Sequence, residues 1–242
     1  MRSQEQYTTD VDYPSIFIRN QTPILMSAVT VLNGFNHHFP ATEFSYCDFG
    51  CGNGLTLCLL AACNPQGTFF GVDINTSHIA KAKNLAEHAG LENITFIETE
   101  FDSLKEADLP PLDYAAVAGI LSWLHDETRS RLLKYISQKL KIGGLCYLHY
   151  LSMPGATKTL ATTMVTQLLA DQYEGESSRR AVSAVSEVQK LFEGDGVLPF
   201  TKMLPQVRET LGRQLKMDPN YLAHDILNRN PKPTWFHQVT RA

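Results

Sequence analysis

From residue 44 to residue 150, short apolar runs alternate with segments whose apolar residues recur at helical spacing. This order is typical of repeated strand and helix units around a parallel sheet. Glycine, proline, asparagine or aspartate bounds each apolar run, as expected at strand ends. We therefore predict an α/β fold with a doubly wound, mainly parallel sheet. The predicted strands are about 46–49, 68–73, 94–98, 114–119 and 145–150.

Two of the segments between these runs have clear helical periodicity. Residues 77–88 and 127–140 each place their larger apolar side chains on one stripe, which predicts amphipathic helices. The glycines of the KIGG stretch, Gly143 and Gly144, are predicted to cap the second helix and to lead into a strand.

Strand signals cease after Tyr150, and the remaining segments are helix-like. We predict that residues 152–242 form a helical module that acts as a lid or substrate-selecting cap. Residues 44–151 are the predicted cofactor-binding core, and residues 1–43 are a predicted N-terminal helical segment that covers the cleft.

The stretch SYCDFGCGNG ends in a cluster of glycines directly after the first predicted strand. Glycine is conformationally costly, so the cluster indicates that something approaches the main chain too closely for a Cβ. In a doubly wound sheet this loop lies at the switch point, where N–H groups of the next helix face a crevice. We predict that a nucleoside cofactor binds there. The predicted contacts are Asp48, Gly50, Cys51, Gly52 and Asn53.

Further candidates follow the later strands. Asp73 comes nineteen residues after Gly54, where a carboxylate can accept hydrogen bonds from ribose hydroxyls. Asp102 follows the third strand and can accept the exocyclic amine of an adenine. Phe101 lies beside it, and Gly119 leaves the fourth strand at the predicted floor of the cleft. The remaining predicted cofactor contacts are Ile74 and Ile120.

Residues 44–150 resemble the class I S-adenosylmethionine-dependent methyltransferases, which have a Rossmann-like core. The matching pieces, in family order, are DFGCGNG, FGVDIN, EFDSL, LDYAAVAGILSWL and LKIGGLCYLHY. The resemblance implies S-adenosyl-L-methionine as cofactor and S-adenosyl-L-homocysteine as product. It places Gly50, Gly52 and the region of Asn53 at the methionine part. It places Asp73 at the ribose and Asp102 at the adenine.

A narrower resemblance links the chain to bacterial methyltransferases that carry a methyltransferase regulatory domain, some of which modify protein lysines. It is carried by GILSWLHDETRSRLL, YLSMPG and DPNYLAHDILN. Leu151 stands where that group has asparagine in its Tyr-Asn-x-x-Pro-Gly motif. The resemblance implies a protein lysine as methyl acceptor, and a small-molecule acceptor stays open.

Transfer of a sulfonium methyl group needs little side-chain chemistry, because the electrophile is already activated and the leaving thioether is neutral. Orientation and exclusion of water can then supply most of the rate gain. A lysine acceptor, with a reference pKa of about 10.4, must also lose a proton. The candidates for assisting that loss are His125, Tyr13 and Tyr150.

Two rival functions fit parts of the chain. A cofactor-binding but inactive regulatory module would keep the glycine loop and lose access for an acceptor. Ser122, Tyr135 and Lys139 match the spacing of an NAD(P)-dependent short-chain dehydrogenase. That match is discounted because the glycine loop lacks the TGxxxGxG form and Tyr135 follows it too soon. We expect Tyr135 and Lys139 on the outer flank of an amphipathic helix.

Composition excludes several classes of function. The net charge of −4 and pI near 6.1 give no overall basic field, so nucleic acid is the less favoured partner. The five cysteines include no CxxC pair, which predicts reduced thiols in a cytoplasmic protein and no metal site. The longest apolar stretch, residues 115–124, is about half a bilayer span, so no membrane partner is expected. Oligomeric state stays open.

Overall fold

The structure is a computed structural model that describes residues 8, 10–37, 42–106, 109–193, 206–228, 233–235 and 239. The strands are β1 (Phe44–Phe49), β2 (Gly67–Asp73), β3 (Ile94–Glu98), β4 (Leu112–Ala118) and β5 (Leu140–His149). The helices are α1 (Pro23–Leu32), α2 (Leu55–Cys63), α3 (Thr76–His88), α4 (Asp126–Lys139), α5 (Thr157–Ala170), α6 (Ser177–Glu193), α7 (Gln206–Gln214) and α8 (Pro219–Leu227). Short 3₁₀ helices lie at Arg19–Gln21, Phe101–Glu106 and Leu121–Trp123. Within the described residues, no helix is long and apolar enough to cross a bilayer.

The five strands form one parallel sheet in the order β3-β2-β1-β4-β5. The strand order reverses direction between β1 and β4, so the crevice at the carboxyl ends of these two strands is the switch point. The predicted doubly wound parallel sheet followed by helical segments is confirmed. The glycine loop leaves β1 at that switch point.

The sheet is buried on both faces. One cluster of buried apolar residues contains Tyr46, Leu57 and Phe69, and a second contains Cys47 and Phe49. All six residues of β1 are buried, because neighbouring residues of this central strand point to opposite covered faces.

The boundary between α4 and β5 differs from the prediction. Helix α4 ends at Lys139, and β5 begins at the next residue, with no glycine at the helix end. Gly143 and Gly144 lie instead in a bulge of β5, where four residues of β5 face Asp113 alone between two matched pairs. Gly143 has a φ of 83°, which a bulge favours and a β-branched residue would not tolerate. The prediction that these glycines cap α4 was wrong.

Tyr135 and Lys139 do not lie on an outer flank as expected. Tyr135 is buried in the second cluster and packs edge-to-face on Phe49, with ring centroids 6.3 Å apart. Lys139 donates a hydrogen bond to the carbonyl of Leu109, and its Nζ lies 5.8 Å from the Tyr135 ring centroid. Both residues therefore stabilise the packing of α4 on the sheet.

The chain divides into two compact units. The sheet unit is Ser15–Tyr150, and the helical unit comprises Leu151–Thr240 together with Met1–Pro14. The predicted segment 1–43 is thus split between the two units. In the helical unit, α6, α7 and α8 share a core that includes Val11. His224 Nε2 lies 3.1 Å from the carbonyl oxygen of Val11, which fixes the early residues to α8.

Candidate functional site

The glycine loop is held against the end of β2 by its own main chain. The N–H groups of Gly50 and Cys51 both donate to the carbonyl of Val72, at 2.7 and 3.0 Å. Gly50, Gly52 and Gly54 all have positive φ angles, 86°, 56° and 76°. Glycine adopts this left-handed region without the steric cost that a Cβ brings. The loop therefore turns sharply from β1 into α2.

The three glycines are required for different reasons. A Cβ at Gly54 would lie 2.6 Å from the Cβ of Ala82, and one at Gly50 would lie 2.9 Å from Ile120 Cγ2. A Cβ at Gly52 would meet no atom within 4 Å. Packing inside the protein thus explains Gly50 and Gly54. Gly52 is the glycine at which a ligand has room to approach the main chain.

Asp73 connects the end of β2 to the glycine loop. Its Oδ2 accepts the N–H of Gly52 at 2.9 Å, and its Oδ1 accepts the N–H of Asn75 at the same distance. His78 Nδ1 lies 3.6 Å from Oδ1. A carboxylate offers about four acceptor positions, so positions remain for the ribose hydroxyls that the sequence predicts. The side chain orders the loop whether or not a ligand binds.

Asp48 and Gln21 form a buried polar pair beneath the loop. Gln21 Nε2 donates to Asp48 Oδ2 at 3.0 Å, and the two residues are 1% and 4% exposed. Asp48 Oδ1 and Gln21 Oε1 are buried and accept no hydrogen bond from the described residues. The pKa of Asp48 is raised to about 7, because burial and, to a smaller extent, the nearby Asp73 raise it more than the Gln21 hydrogen bond lowers it.

The segment Ser15–Gln21 runs alongside the glycine loop and the start of α2. Asn53 Nδ2 donates to Ser15 Oγ at 3.0 Å. Thr56 Oγ1 donates to the carbonyl of Ile16 and accepts the N–H of Ile18, both at 3.0 Å. The sequence prediction missed Gln21, because the pairing spans 27 residues and no local motif marks it.

The remaining predicted contacts around the crevice are mostly main-chain or apolar. Ile74 directly follows β2 and is half-buried. Gly119 directly follows β4 with a φ of 75°, and its N–H donates to the carbonyl of His149 at 3.2 Å. Burial raises the pKa of the Cys51 thiol, which keeps it neutral, and its Sγ lies 3.7 Å from the carbonyl oxygen of Gly52. Ile120 packs against Gly50.

Asp102 has a protein partner that the sequence did not indicate. Arg131 on α4 places Nε 3.0 Å from Asp102 Oδ1 and Nη2 3.1 Å from Oδ2, a bidentate pair. Phe101 begins the 3₁₀ helix and packs partly buried on the second cluster. Both members of the ion pair are exposed, so the pair contributes little stability and water or a ligand can compete for the carboxylate. The predicted adenine contact remains a prediction.

The three predicted catalytic residues fall into different surroundings. His125 is exposed at the start of α4, and its carbonyl accepts the N–H of Arg129 at 2.8 Å. Tyr150 directly follows β5 and packs half-buried on the second cluster. Tyr13 belongs to the helical unit, where its ring lies 5.2 Å from that of His224. Burial raises the pKa of Tyr13 well above its usual value, and Tyr221 and Asp225 raise it further.

Two bacterial proteins match nearly all of this chain but are much longer. Uncharacterized protein sll1526 of Synechocystis is 29% identical over 243 residues, which is 100% of this chain and 47% of that protein. Uncharacterized protein RP789 of Rickettsia prowazekii is 24% identical over 238 residues, 95% of this chain and 41% of that protein. The chain therefore spans less than half the length of these relatives.

A shorter match joins the chain to an enzyme with a named activity. The tRNA (guanine-N(7)-)-methyltransferase of Rubrobacter xylanophilus is 44% identical over 54 residues, which cover 22% of this chain and 24% of that enzyme.

Solved structures resemble the chain beyond its sheet. PKMT2 from Rickettsia typhi superimposes with a TM-score of 0.77 at 21% identity, over 93% of this chain and 42% of that protein. The structure of PKMT2 in complex with AdoHcy matches with the same score. At this identity the similarity establishes the fold.

A family described as a methyltransferase domain matches residues 41–226, which is more than half of the chain and includes the whole sheet. The glycine loop and the carboxylates at the strand ends lie within the matched region. The chain therefore belongs to this methyltransferase domain family, which is the class of domain that its sequence predicts.

Proposed function

We propose that this chain transfers a methyl group to the side-chain amine of a lysine in a protein substrate. The observation that carries the proposal is the extent of the similarity to PKMT2, which continues past β5 through the helical segments to cover 93% of the chain. Substrate choice in such folds resides in the parts added to the common sheet. The narrower sequence resemblance favours the same acceptor.

The residues of the crevice suit the proposed cofactor. Gly52 leaves space beside the main chain, and Asp73 retains acceptor positions for a pair of hydroxyls. Asp48 presents a buried carboxylate oxygen that accepts no hydrogen bond from the described residues. When bound, S-adenosyl-L-methionine supplies an activated methyl group. The work left to the chain is to orient the acceptor and to exclude water.

A lysine acceptor must reach the methyl group as a neutral amine. Its reference pKa is about 10.4, so desolvation in the crevice must lower this value before attack. In the proposal, His125 and Tyr150 line the acceptor's approach, because they follow β4 and β5 at the carboxyl edge of the sheet. The raised pKa of Tyr13 keeps its phenol protonated near neutral pH. The proposal therefore does not use Tyr13 as a base.

The experiment is methyl transfer from deuteromethyl S-adenosylmethionine to proteins of a bacterial lysate, followed by mass spectrometry of the labelled residues. The proposal expects label on lysine side chains and its loss when the lysines of the lysate are acetylated beforehand. Label on another residue type would contradict it. Label found only in small molecules of the lysate, and not in its proteins, would also contradict the proposal.

The matched control for this assay is Asp73→Ala. It removes a carboxylate of the proposed cofactor site, so labelling above the level of the variant is due to this chain. If the lysate is labelled equally with the wild type and with Asp73→Ala, the label comes from other enzymes in the lysate.

A further inference from the structure

A carboxylate on α8 has no partner within the part of the chain that the structure describes. Asp225 is half-buried, and it forms no hydrogen bond or ion pair with the described residues. Burial raises its pKa, and no cation or donor among these residues offsets that effect. An unpaired charge that is partly removed from water costs free energy, so this carboxylate indicates a place for a positive group.

Two phenol rings lie beside this carboxylate. Tyr221 precedes Asp225 by four residues on α8, so the two side chains share one face of the helix. The ring centroid of Tyr13 lies 5.9 Å from that of Tyr221, with the rings tilted by 52°, and both residues are half-buried. Burial raises the pKa of both phenols, and the charge of Asp225 contributes to the rise in each. All three residues belong to the helical unit.

Contacts inside the helical unit fix this arrangement before any ligand binds. Nε2 of His224 lies 3.1 Å from the carbonyl oxygen of Val11, which ties the main chain near Tyr13 to α8. The ring of His224 packs edge-on against that of Tyr13, with centroids 5.2 Å apart. At the start of α8, Asp218 Oδ1 accepts the N–H of Tyr221 at 3.1 Å. A preformed site loses less entropy when it binds a ligand.

This combination of groups suits an alkylammonium ligand. A carboxylate accepts an N–H of the ammonium group, and the faces of phenol rings attract a cation within about 6 Å of their centroids. The alkyl stem of such a ligand can pack along the rings. A metal ion is disfavoured, because no group of three or more His, Cys, Asp or Glu side chains within the described residues could hold one.

We propose that Tyr13, Tyr221 and Asp225 form a recognition site for an alkylammonium group, the side chain of a lysine that the protein substrate presents to the helical unit. Asp225 accepts a hydrogen bond from the ammonium group, and the two rings contact the cation with their faces. The inference rests on the proposed function in assigning the group to a protein lysine. The site itself rests only on contacts within the helical unit.

The test is a saturation-transfer NMR titration of the full chain with small probes. Nα-acetyl-lysine methylamide carries the ammonium group, and Nα-acetyl-norleucine methylamide lacks it. We expect the wild type to bind the norleucine probe at least about tenfold more weakly than the lysine probe, because a hydrogen bond to a charged group is lost. A third probe, n-butylamine, represents small free amines and should bind more weakly than the lysine probe.

Two kinds of variant separate the contributions of charge and ring. Asp225→Asn keeps the shape of the side chain and should raise the Kd of the lysine probe by about tenfold or more. Tyr221→Leu should raise it about two- to tenfold, whereas Tyr221→Phe, which keeps the ring, should stay within about twofold of the wild type. A purely structural role for Asp225 would change the Kd of the lysine and norleucine probes equally.

The matched control is Asp171→Asn. It removes the same charge elsewhere in the helical unit, where Asp171 pairs with Arg180 at 3.3 Å, and it should leave the Kd of the lysine probe within about twofold. An equal effect of Asp171→Asn and Asp225→Asn, or no effect of Asp225→Asn, would overturn the inference.

The binding test and the lysate assay can fail separately. If lysines of the lysate stay unlabelled while the probes distinguish the variants as expected, the proposed methyl transfer to lysine is wrong and the alkylammonium site stands. If lysines are labelled but the wild type binds the lysine and norleucine probes equally, the site alone is wrong. Tighter binding of n-butylamine than of the lysine probe would contradict the assignment to a protein lysine.

Discussion

Asp73 is the side chain at which loss of the carboxylate is expected to affect cofactor binding most directly. It accepts two main-chain hydrogen bonds and retains positions for ribose hydroxyls. Asp73→Ala should weaken S-adenosylhomocysteine binding by about 1 to 3 kcal/mol, measured by calorimetric titration, because hydrogen bonds to a buried carboxylate are lost. Glu98→Ala is the control, since Glu98 ends the neighbouring strand and bonds only Thr76 among the contacts seen. Unchanged affinity in Asp73→Ala would place Asp73 outside the site.

The raised pKa of Asp48 should make the free energy of unfolding fall as pH rises through the weakly acidic range. Its pKa is about 7 when folded and 3.8 when exposed, so between these values the folded state alone holds the proton. The free energy of unfolding therefore falls as pH rises from about 4 to about 7, and this contribution is lost above that. Urea denaturation of the wild type and of Asp48→Asn at several pH values measures this effect. The difference between their free energies of unfolding should change only between about pH 4 and about pH 7. Parallel pH profiles would contradict the raised pKa.

The sequence predicts as cofactor contacts those residues that have a fixed position in a motif. Asp48, Gly52 and Asp73 are such predictions, because each stands at a fixed place relative to a strand end. Gln21 and Arg131 were not, because their partners lie 27 and 29 residues away along the chain. Such pairs come together only in the folded chain, and no motif near either residue indicates the pairing.

At the level of elements, Gly54 is where the loop, α3 and β3 meet. Gly54→Ala should destabilise the protein by about 2 to 5 kcal/mol, because a Cβ would sit 2.6 Å from Ala82 and 2.9 Å from Phe96 at a positive φ. Gly90→Ala is the matched control. It has a positive φ of 65° and open space around it, so it should cost about 1 to 2 kcal/mol. Thermal or urea unfolding measures both losses of stability. Equal losses in Gly54→Ala and Gly90→Ala would show that the neighbours of Gly54 move to make room for the Cβ.

Element types were easier to predict than element junctions. The sheet followed from apolar runs bounded by turn residues, and β3 was predicted with its observed bounds. The junction of α4 and β5 was not predicted correctly. Gly143 and Gly144 resemble a helix cap in the sequence, but in the structure they lie in a bulge of β5. Within that bulge, Lys141 Nζ donates to the carboxylate of Asp113 in β4 at 2.7 Å, a contact between residues 28 positions apart that no local pattern indicates.

For the whole molecule, the two units offer a test of the proposed lid. The sheet unit contains two core clusters of its own, so a chain ended after Tyr150 should still bind S-adenosylhomocysteine. We expect its Kd for S-adenosylhomocysteine to change by less than about tenfold, while methyl transfer to the proposed protein substrate is lost. Side-by-side titration and transfer assays on the full and shortened chains provide the measurement. Full transfer by the shortened chain would exclude a role for the helical unit in selecting the acceptor.

The division into units was only partly visible in the sequence. The end of strand signals at Tyr150 indicates where the sheet unit stops. The grouping of the first fourteen residues with the later helices depends on contacts such as His224 with Val11, 213 residues apart. Hydrophobic periodicity is a local property, so it cannot report which distant surfaces will meet.

The central strand β1 has every residue buried and a hydrogen-bonded neighbour on each side. Its amide hydrogens can therefore meet solvent only when the whole sheet opens. In native-state deuterium exchange, we expect the protected amides of Phe44–Phe49 to be the slowest of the sheet unit, with an opening free energy equal to that of global unfolding. Their exchange rate would then serve as an internal gauge of how firmly any bound nucleoside braces the enzyme.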